Sequence, residues 1–587
     1  MTTVCPAKLF RHLFVLFRVA ETRPTLSDPE EAFVNRASAV SFRGPRAFAR
    51  GLAAVLSAAL VFPGTVRAAD AGVTVPLSTT ARKAVPLPPG EKIELSLEQT
   101  IRLALESTLD LNVASLSYDK AQFGLESAKG IFDPYAELDL NASRNQQPTY
   151  SRIQAADTKN QVANLIFGGL LEPGTGYSLS WNNTRNDSAI EGFTLYNPTY
   201  RSSLTVGVTQ PLLRNFGSTV NTRYIVQAKY GRDTSAWTFV TAVQTVVQAV
   251  ENAYWDLVYA RALLKSRQEA LAIAKDLNRI TQIKIDVGTL APIDIVQTEV
   301  TVAQREQDII TAEGQIGDAE DRLRRILNVR NLPDWQRPIV TTDLPTMEPT
   351  SISVEDGMKK ALETRPEIRQ ALIDIESKKL TVAFNKNQVM PQLNLAASYG
   401  LSGIGAKSTG VLPDGSTGDL NYGDAISNLF NRDFPNWAVG LVFNIPIGNR
   451  AAKNAYALST SDLELSRTNL VLMKQNLWLE VRTAARTVDT ALRSIEAAKK
   501  ARELAERNLD AEKKKYENGM TTSFQVSSIQ NDLTNARATE LQTYAVYLKA
   551  RTAWHKAIGD LLEWKGVKLE GLPISLAPAP AEEPPAK

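Results

Sequence analysis

The sequence predicts an α+β chain, built as two internal repeats, in which a few amphipathic strands alternate with very long antiparallel helices. Three observations predict it. Proline is absent between Pro211 and Pro292 and again between Pro446 and Pro573, and Gly519 is the only glycine from Asn449 to Ile558. Beside these stretches, short segments alternate strictly between apolar and polar residues. The order of elements then occurs a second time. Of 587 residues, 43% are apolar and 22% charged, which excludes a disordered chain. Lys+Arg 66 against Asp+Glu 63 gives a net charge of +3, without the basic excess of a dedicated nucleic-acid binder. Two His and one Cys leave little for a His/Cys metal site or a Cys nucleophile.

The N-terminal region reads as a leader. Arg43, Arg46 and Arg50 precede an apolar run of 12 residues, Gly51 to Phe62, which Pro63 and Gly64 break. Val66-Arg67-Ala68 then fits a small-x-small cleavage site, so a secretory signal peptide ends at about Ala68. The run is too short to span a bilayer. The first ~40 residues read as an over-long start or a discarded extension. Cys5 and His12 belong to this leader, so the mature chain lacks cysteine and holds one histidine, His555. An exported chain without cysteine is stabilised by something other than disulfides.

Long helices follow from what the two proline-free stretches lack. Proline costs about 3 kcal/mol in a helix interior and glycine about 1 kcal/mol. Val243, Val246, Val247, Val250, Tyr254, Leu257 and Val258 follow steps of three and four, as do Leu477, Val481, Ala484, Val488, Leu492, Ile495 and Ala498. Each set forms a stripe on one helix face. A helix of about 70 residues is roughly 100 Å long, longer than a compact domain uses, so a coiled-coil hairpin pack or tube is expected. Each stretch has one interruption: Val287-Gly288-Thr289-Leu290-Ala291-Pro292-Ile293-Asp294 and Asn518-Gly519-Met520-Thr521-Thr522-Ser523. Glycine ends a helix in the left-handed conformation, Ser or Thr caps the next, and Pro292 suits a first turn. Both read as helix-turn-helix tips.

Four strands are expected. Ala136, Leu138, Leu140 and Ala142 alternate with polar residues; so do Leu204, Val206 and Val208; so do Leu393, Leu395, Ala397 and Tyr399; Trp437, Val439, Leu441, Phe443 and Ile445 form the fourth set. Polar stretches at about 144–200 and 400–436 read as long loops on one side. Tyr177 to Thr184 also alternates and can pair with Gln161 to Phe167 through Glu172-Pro173-Gly174; whether this hairpin joins the sheet or sits in the loop stays open. Leu95-Ser-Leu-Glu at the start of the first half matches Ile352-Ser-Val-Glu in the second. The chain divides into a leader (1–68), a linker (69–91), a first repeat (92–332), a joint (333–350), a second repeat (351–572) and a disordered Pro/Ala-rich tail (573–587).

No later stretch has 18 consecutive apolar residues, which speaks against a transmembrane helix and leaves a barrel open. Four strands cannot close a barrel, which takes about eight, and lipid forbids open sheet edges. Strands that enter lipid must therefore come from several chains around one pore. The helices then continue that pore as a shared tube.

The chain resembles the TolC-type outer-membrane efflux proteins over about residues 92–570. The resemblance rests on the paired repeat starts, on Val208-Thr-Gln-Pro-Leu-Leu-Arg214 and its counterpart Phe443-Asn-Ile-Pro-Ile-Gly448, and on the two tips with the helices that follow them. It implies a homotrimer in the outer membrane of a Gram-negative bacterium. Four strands from each chain build a 12-stranded barrel in outer-membrane lipid, and the helices form a periplasmic tunnel. The implied partners are a periplasmic adaptor and an inner-membrane pump, proton-driven or ABC-type; no catalytic, cofactor, metal or nucleic-acid function is implied. The adaptor would meet the tips at Gly288, Thr289, Leu290 and Asp294 and at Gly519, Met520, Thr521 and Thr522. Gating would fall on Tyr516, Asp294, Gln525 and Ser528. The basic partner expected two residues after Gly519 is Thr521, and the acidic aperture positions of some members are Gln525 and Ser528.

Blander readings stand beside these. A glycine between helices is most often a turn, and Asp294 a cap. Trp181, Trp437, Tyr177, Tyr196 and Tyr200 fit an interface belt or ordinary strand packing. Lys499-Lys500 and Lys513-Lys514-Lys515 read as solvated faces, and His555 as a packing residue. The alternative to a channel is an exported coiled-coil structural or adhesive rod; a secreted hydrolase lacks any residue set that fills catalytic roles. A constriction lined by Gln525 and Ser528 is close to neutral. Conductance in planar bilayers should therefore show weak block by divalent cations; block by low-millimolar trivalent cations as strong as in an acidic-ring channel refutes it.

Overall fold

Each half opens on a serine cap. In the computed structural model, Ser96 accepts from the Gln99 amide, and the Gln99 side chain accepts from the Ser96 amide in return. Ser353 accepts from the Asp356 amide. The matched Ser-x-x sequences of the two halves are thus helix-start signals. The first half runs β1 (Ile93–Leu95), α1 (Leu97–Ser107), α2 (Leu109–Lys129), β2 (Tyr135–Gln146), β3 (Asp157–Leu170), β4 (Gly176–Asp187), β5 (Tyr196–Pro211), α3 (Arg223–Asp286), α4 (Asp294–Ile326) and β6 (Ile339–Thr341). The second runs α5 (Val354–Thr364), α6 (Pro366–Gln388), β7 (Gln392–Ser408), α7 (Tyr422–Asn431), β8 (Phe434–Asn444), α8 (Arg450–Glu517) and α9 (Ser523–Ile558). The structure describes residues 90–151, 154–188, 196–343, 345, 352–408, 421–432 and 434–569, all within one compact unit, Gly72–Lys587. The leader with its cleavage site, nearly all of the linker, part of the proline joint and the C-terminal tail lie outside the described residues.

Helices α3 and α8 have 64 and 68 residues, so each is about 100 Å long. Each lies along two shorter helices placed end to end, α2 and α4 beside α3, α6 and α9 beside α8. The stripe residues are what they bury: Val243, Val247, Val250, Tyr254 and Leu257 on α3, and Leu477, Val481, Val488 and Ile495 on α8. Halfway along, β1 and β6 pair in parallel, Ile93 opposite Ile339. Ile93, Leu95, Ile339, Val247, Leu323 and Leu561 share one core there. The Tyr254 hydroxyl donates to the Leu95 carbonyl (3.1 Å) and to Asp343 (2.9 Å), and burial pushes it up to about 12. The buried Arg324–Glu320 pair (2.8 Å) holds the same belt, since Glu320 also accepts from the Ile339 amide and Arg324 donates to the Arg337 carbonyl.

The sheet corrects the strand count. Among the described residues, six strands, not four, form one antiparallel sheet in the order β2-β3-β4-β5-β7-β8. The hairpin left open by sequence lies between β2 and β5, and much of the two stretches read as long loops is strand or, at α7, helix. The reason is compositional. Strands whose polar face is Asn, Ser, Thr and Gly look like loop to a reader of composition, and only the period of two betrays them.

Directly opposed residues share a face. One row runs Ala136, Phe167, Leu179, Val206, Tyr399, Trp437, and the next Leu138, Leu165, Trp181, Leu204, Leu401, Pro435. The other face carries Glu137, Ile166, Ser180, Thr205, Gly400, Asn436, then Asp139, Asn164, Asn182, Ser203, Ser402, Phe434. One surface is apolar and the other mostly small and polar. The apolar one is largely exposed; Trp437 is 76% accessible. At its end remote from the long helices, α7 lies on it through Ala425 and Leu429, with the Tyr422 hydroxyl donating to Asn183 (2.8 Å). Gly403 makes that approach possible, because a Cβ there would stand 2.0 Å from the Ala425 carbonyl oxygen.

Two helix glycines separate propensity from packing. A Cβ on Gly314 in α4 meets nothing within 4 Å, whereas one on Gly357 in α5 would stand 2.7 Å from the Trp554 ring. Propensity favours alanine at both by about 1 kcal/mol. Overpacking at Gly357 costs about 1–3 kcal/mol and should win. Thermal unfolding should show Gly314→Ala raising Tm and Gly357→Ala lowering it; equal shifts would mean Trp554 yields freely.

Candidate functional site

Both long helices end in the same turn. At the first tip, Gly288 (φ +79°) donates to the Ile285 carbonyl (2.8 Å) and Thr289 to that of Lys284 (2.8 Å). At the second, Gly519 (φ +76°) donates to Tyr516 (3.0 Å) and Met520 to Lys515 (2.9 Å). This pair of bonds is the Schellman motif, which needs a left-handed residue at its centre. The return differs. Thr522 caps α9 by accepting from the Gln525 amide. No side chain caps α4; Asp294 sits in its first turn, and Pro292 lies just ahead of the helix rather than inside it.

The two tips pack together on Leu277, Leu509, Tyr516, Val526, Ile529 and Leu533, with Leu290 beside them. Tyr516 is only 3% exposed, and its hydroxyl shares a 2.7 Å hydrogen bond with Thr281. Lys284 places its ammonium 4.2 Å from the centre of the Tyr516 ring and donates to the Tyr516 and Glu517 carbonyls. Burial pushes the Tyr516 phenol up, against the lowering effect of its Thr281 hydrogen bond, and the Asp294 charge adds to the rise. Tyr516 and Asp294 are thus brought near each other, but the hydroxyl bonds Thr281. Thr521 donates to Glu512, and together with Lys515 this keeps the Glu512 carboxyl below its usual range. Gln525 is exposed and Ser528 half-buried on the first two turns of α9. Sequence reasoning missed Lys284, Thr281 and Glu512. The signal was available for Lys284, which stands one helical turn before Gly288 much as Tyr516 stands before Gly519.

Nonpolar side chains stand on the tip surface. Val287, Ile293, Met520 and Phe524 are all more than 60% exposed, and Gly288, Thr289, Gly519 and Thr522 lie among them. One level above the tip core, Arg502 and Glu506 on α8, Arg537 and Glu540 on α9 and Glu269 on α3 form a single ion-pair network.

Two further apolar seams face away from the chain. Packing places the helices in the order α2-α3-α6-α8, so α2 and α8 are the outer members. Leu458, Leu465, Leu472 and Leu479 on α8 recur every seven residues and are exposed, opposite the buried Leu463, Leu470 and Leu477. On α2, Leu109, Leu116 and Phe123 repeat the same spacing beside Val113. Sheet edges β2 and β8 adjoin these same two helices in the chain.

Among the described residues, no group of three or more His, Cys, Asp or Glu could hold a metal ion, and no helix is long and apolar enough to cross a membrane. His555 bonds Asp560 (2.8 Å) and stacks on Trp564 (4.1 Å between ring centres), which agrees with a packing role.

The outer membrane efflux protein family model matches residues 172–329 and 357–560, more than half of the chain. Among solved structures, the outer membrane channel CmeC of Campylobacter jejuni superposes with a TM-score of 0.57 at 16% identity, covering 79% of this chain and 86% of that one. The outer membrane protein VceC of Vibrio cholerae gives 0.57 at 16%, covering 79% and 96%. The MtrE outer membrane channel of Neisseria gonorrhoeae, in its open state, gives 0.53 at 14%, covering 79% and 89%. These show a shared fold. A curated protein of Haemophilus influenzae, described only as uncharacterized, is 20% identical over 236 residues; the match spans 40% of this chain and about half (49%) of that protein.

The ion-pair network has a pH signature. Glu506 is held below its ordinary value near 4.5, chiefly by Arg537 and then by Arg502. A carboxyl with a depressed folded value contributes stability above the ordinary range and loses it as pH falls through the depressed value. Glu506→Gln should therefore lower Tm at neutral pH by circular dichroism, and the gap to wild type should close below about pH 4. A gap independent of pH would assign the loss to packing.

Proposed function

Because the chain belongs to the outer membrane efflux protein family, we propose that three copies close head to tail into one outer-membrane pore continued by a helical tunnel through the periplasm. The observation that carries this reading is the coincidence of open edges. The sheet edges β2 and β8 adjoin in the chain the two outer helices, α2 and α8, that carry the exposed heptad seams. A surface that ends in unpaired strand on one side and its complement on the other forms a ring with copies of itself. Heptad leucines on facing helices pack as knobs into holes. The apolar sheet face then meets outer-membrane lipid and the polar face lines the pore. A non-channel rod has no use for an exposed apolar sheet face of this size.

The protein performs no chemistry in this reading. It conducts cargo passively outward from an inner-membrane pump, proton-driven or ABC-type, in a tripartite efflux or type I secretion system. The tips are where a periplasmic adaptor docks, through Val287, Ile293, Met520 and Phe524 around the turns at Gly288, Thr289, Leu290, Gly519, Thr521 and Thr522. Exposed apolar groups grouped on one end mark a docking surface. Tyr516, Asp294, Gln525 and Ser528 line or brace the aperture. Thr281 and Lys284 hold Tyr516 within its own chain, so opening requires α3 and α8 to separate at that point.

Purified from membranes in detergent, the protein should run as a heat-resistant trimer and give discrete conductance steps in planar bilayers. Leu465→Asp with Leu472→Asp buries two unpaired charges at each seam and should abolish most of the trimer while the monomer keeps its helical circular-dichroism signal. A wild-type protein that stays a soluble monomer and forms no pores overturns the reading.

A further inference from the structure

We propose that the β3–β4 hairpin is part of the pore wall, so that a ring of three is closed by 18 strands, and that the outer chamber admits solutes about twice as wide as a 12-stranded barrel would. The inference rests on the trimeric reading above and goes beyond it.

Three observations carry it. First, the ladder is continuous: β2 pairs β3 over 12 residues, β3 pairs β4 over 12 and β4 pairs β5 over 11. With β3 and β4 between them, β2 and β5 have no bonds to each other, so the hairpin cannot be a flap laid on a four-stranded wall. Second, the hairpin alternates in phase with its neighbours. Leu165, Phe167, Leu179 and Trp181 fall on the apolar face, and Asn164 and Asn182 on the polar one. A plug inside the pore or a lid outside it needs no such phase; a wall between lipid and water does. Third, the hairpin turns back level with the tunnel end of β5. Gly217 donates to the Pro173 carbonyl (3.1 Å), and Gly174, with φ +92°, packs so tightly there that a Cβ would stand 2.7 Å from the Asn215 carbonyl oxygen.

The geometry of a closed barrel sets the bore. With strands about 4.8 Å apart and tilted by about 40°, 18 strands give a backbone diameter of about 36 Å and 12 strands about 24 Å. Lumen side chains take about 5 Å from each wall, leaving about 26 Å against about 14 Å. Small residues on the polar face, Gly207, Ser178, Ser398 and Gly440 among them, keep that width open. The chamber thus accommodates bulky hydrated solutes, including polypeptide, beyond the narrower tip.

The test is a set of single-cysteine variants of the Cys5→Ser chain, reconstituted in liposomes and treated with a membrane-impermeant maleimide. Asn164→Cys and Asn182→Cys should react at least about tenfold faster than Phe167→Cys and Leu179→Cys, matching the pattern of Ser203→Cys against Val206→Cys on β5. Externally added polyethylene glycols about 20 Å across should enter the chamber and lower single-channel conductance in planar bilayers, which a bore of about 14 Å would prevent. Uniform labelling on the hairpin with alternation kept on β5, or a cut-off near 14 Å, overturns the wide wall and leaves the channel reading standing. Loss of alternation on β5 as well, without trimers, overturns both.

Discussion

An unpaired backbone amide or carbonyl costs several kcal/mol in hydrocarbon. This chain carries a row of them along each outer strand, β2 and β8. That constraint organises the molecule. A sheet whose apolar face is left exposed needs a cover, and lipid can be that cover only when the sheet's edges are closed. The helices beneath repeat the same incompleteness in another chemistry, with leucines every seven residues on the two outer members. Strand edge and helix seam ask for the same neighbour, and in the proposed ring a copy of the chain supplies both.

The interior of the protomer is complete by contrast. The long helices bury their stripes against shorter helices of their own chain, and the midpoint core is sealed by Tyr254 and the Arg324–Glu320 pair. The tips close on Tyr516 without a charged lock. A phenol kept neutral by burial bonds a threonine hydroxyl, and a lysine lies over the ring and spans the helix-end carbonyls. These bonds are individually modest, about 1 kcal/mol for the neutral pair and about 2 kcal/mol where the lysine donates, so several small terms hold the tip together.

Helices were legible because the signal is redundant: absent proline, a continuous stripe and glycine at each turn agree over dozens of residues. The strands carrying Leu138, Val206, Leu395 and Trp437 were legible for the same reason. The hairpin was half legible. Its alternation at Tyr177 to Thr184 was visible, but strand pairing is a long-range choice that local pattern leaves open, and a face of Asn and Ser mimics a loop. Helix α7 was missed within a stretch read as loop, although its own sequence signals a helix through the capping box of Asn421 and Asp424 and the apolar spacing of Ala425, Ile426, Leu429 and Phe430. At the tips the turn glycines were plain and the position of Lys284 one turn before Gly288 was readable, whereas Thr281 emerged only once α3 and α8 were side by side. Contacts between residues more than 200 positions apart leave no local trace.

The midpoint pair of β1 and β6 has its own implication for biogenesis. Both strands come from one polypeptide and satisfy each other, so nothing in that belt waits for a neighbouring subunit. A single copy can therefore consolidate its middle while still alone, leaving only its flanks sticky. In the proposed ring, encounter between copies then becomes the concentration-dependent step of assembly.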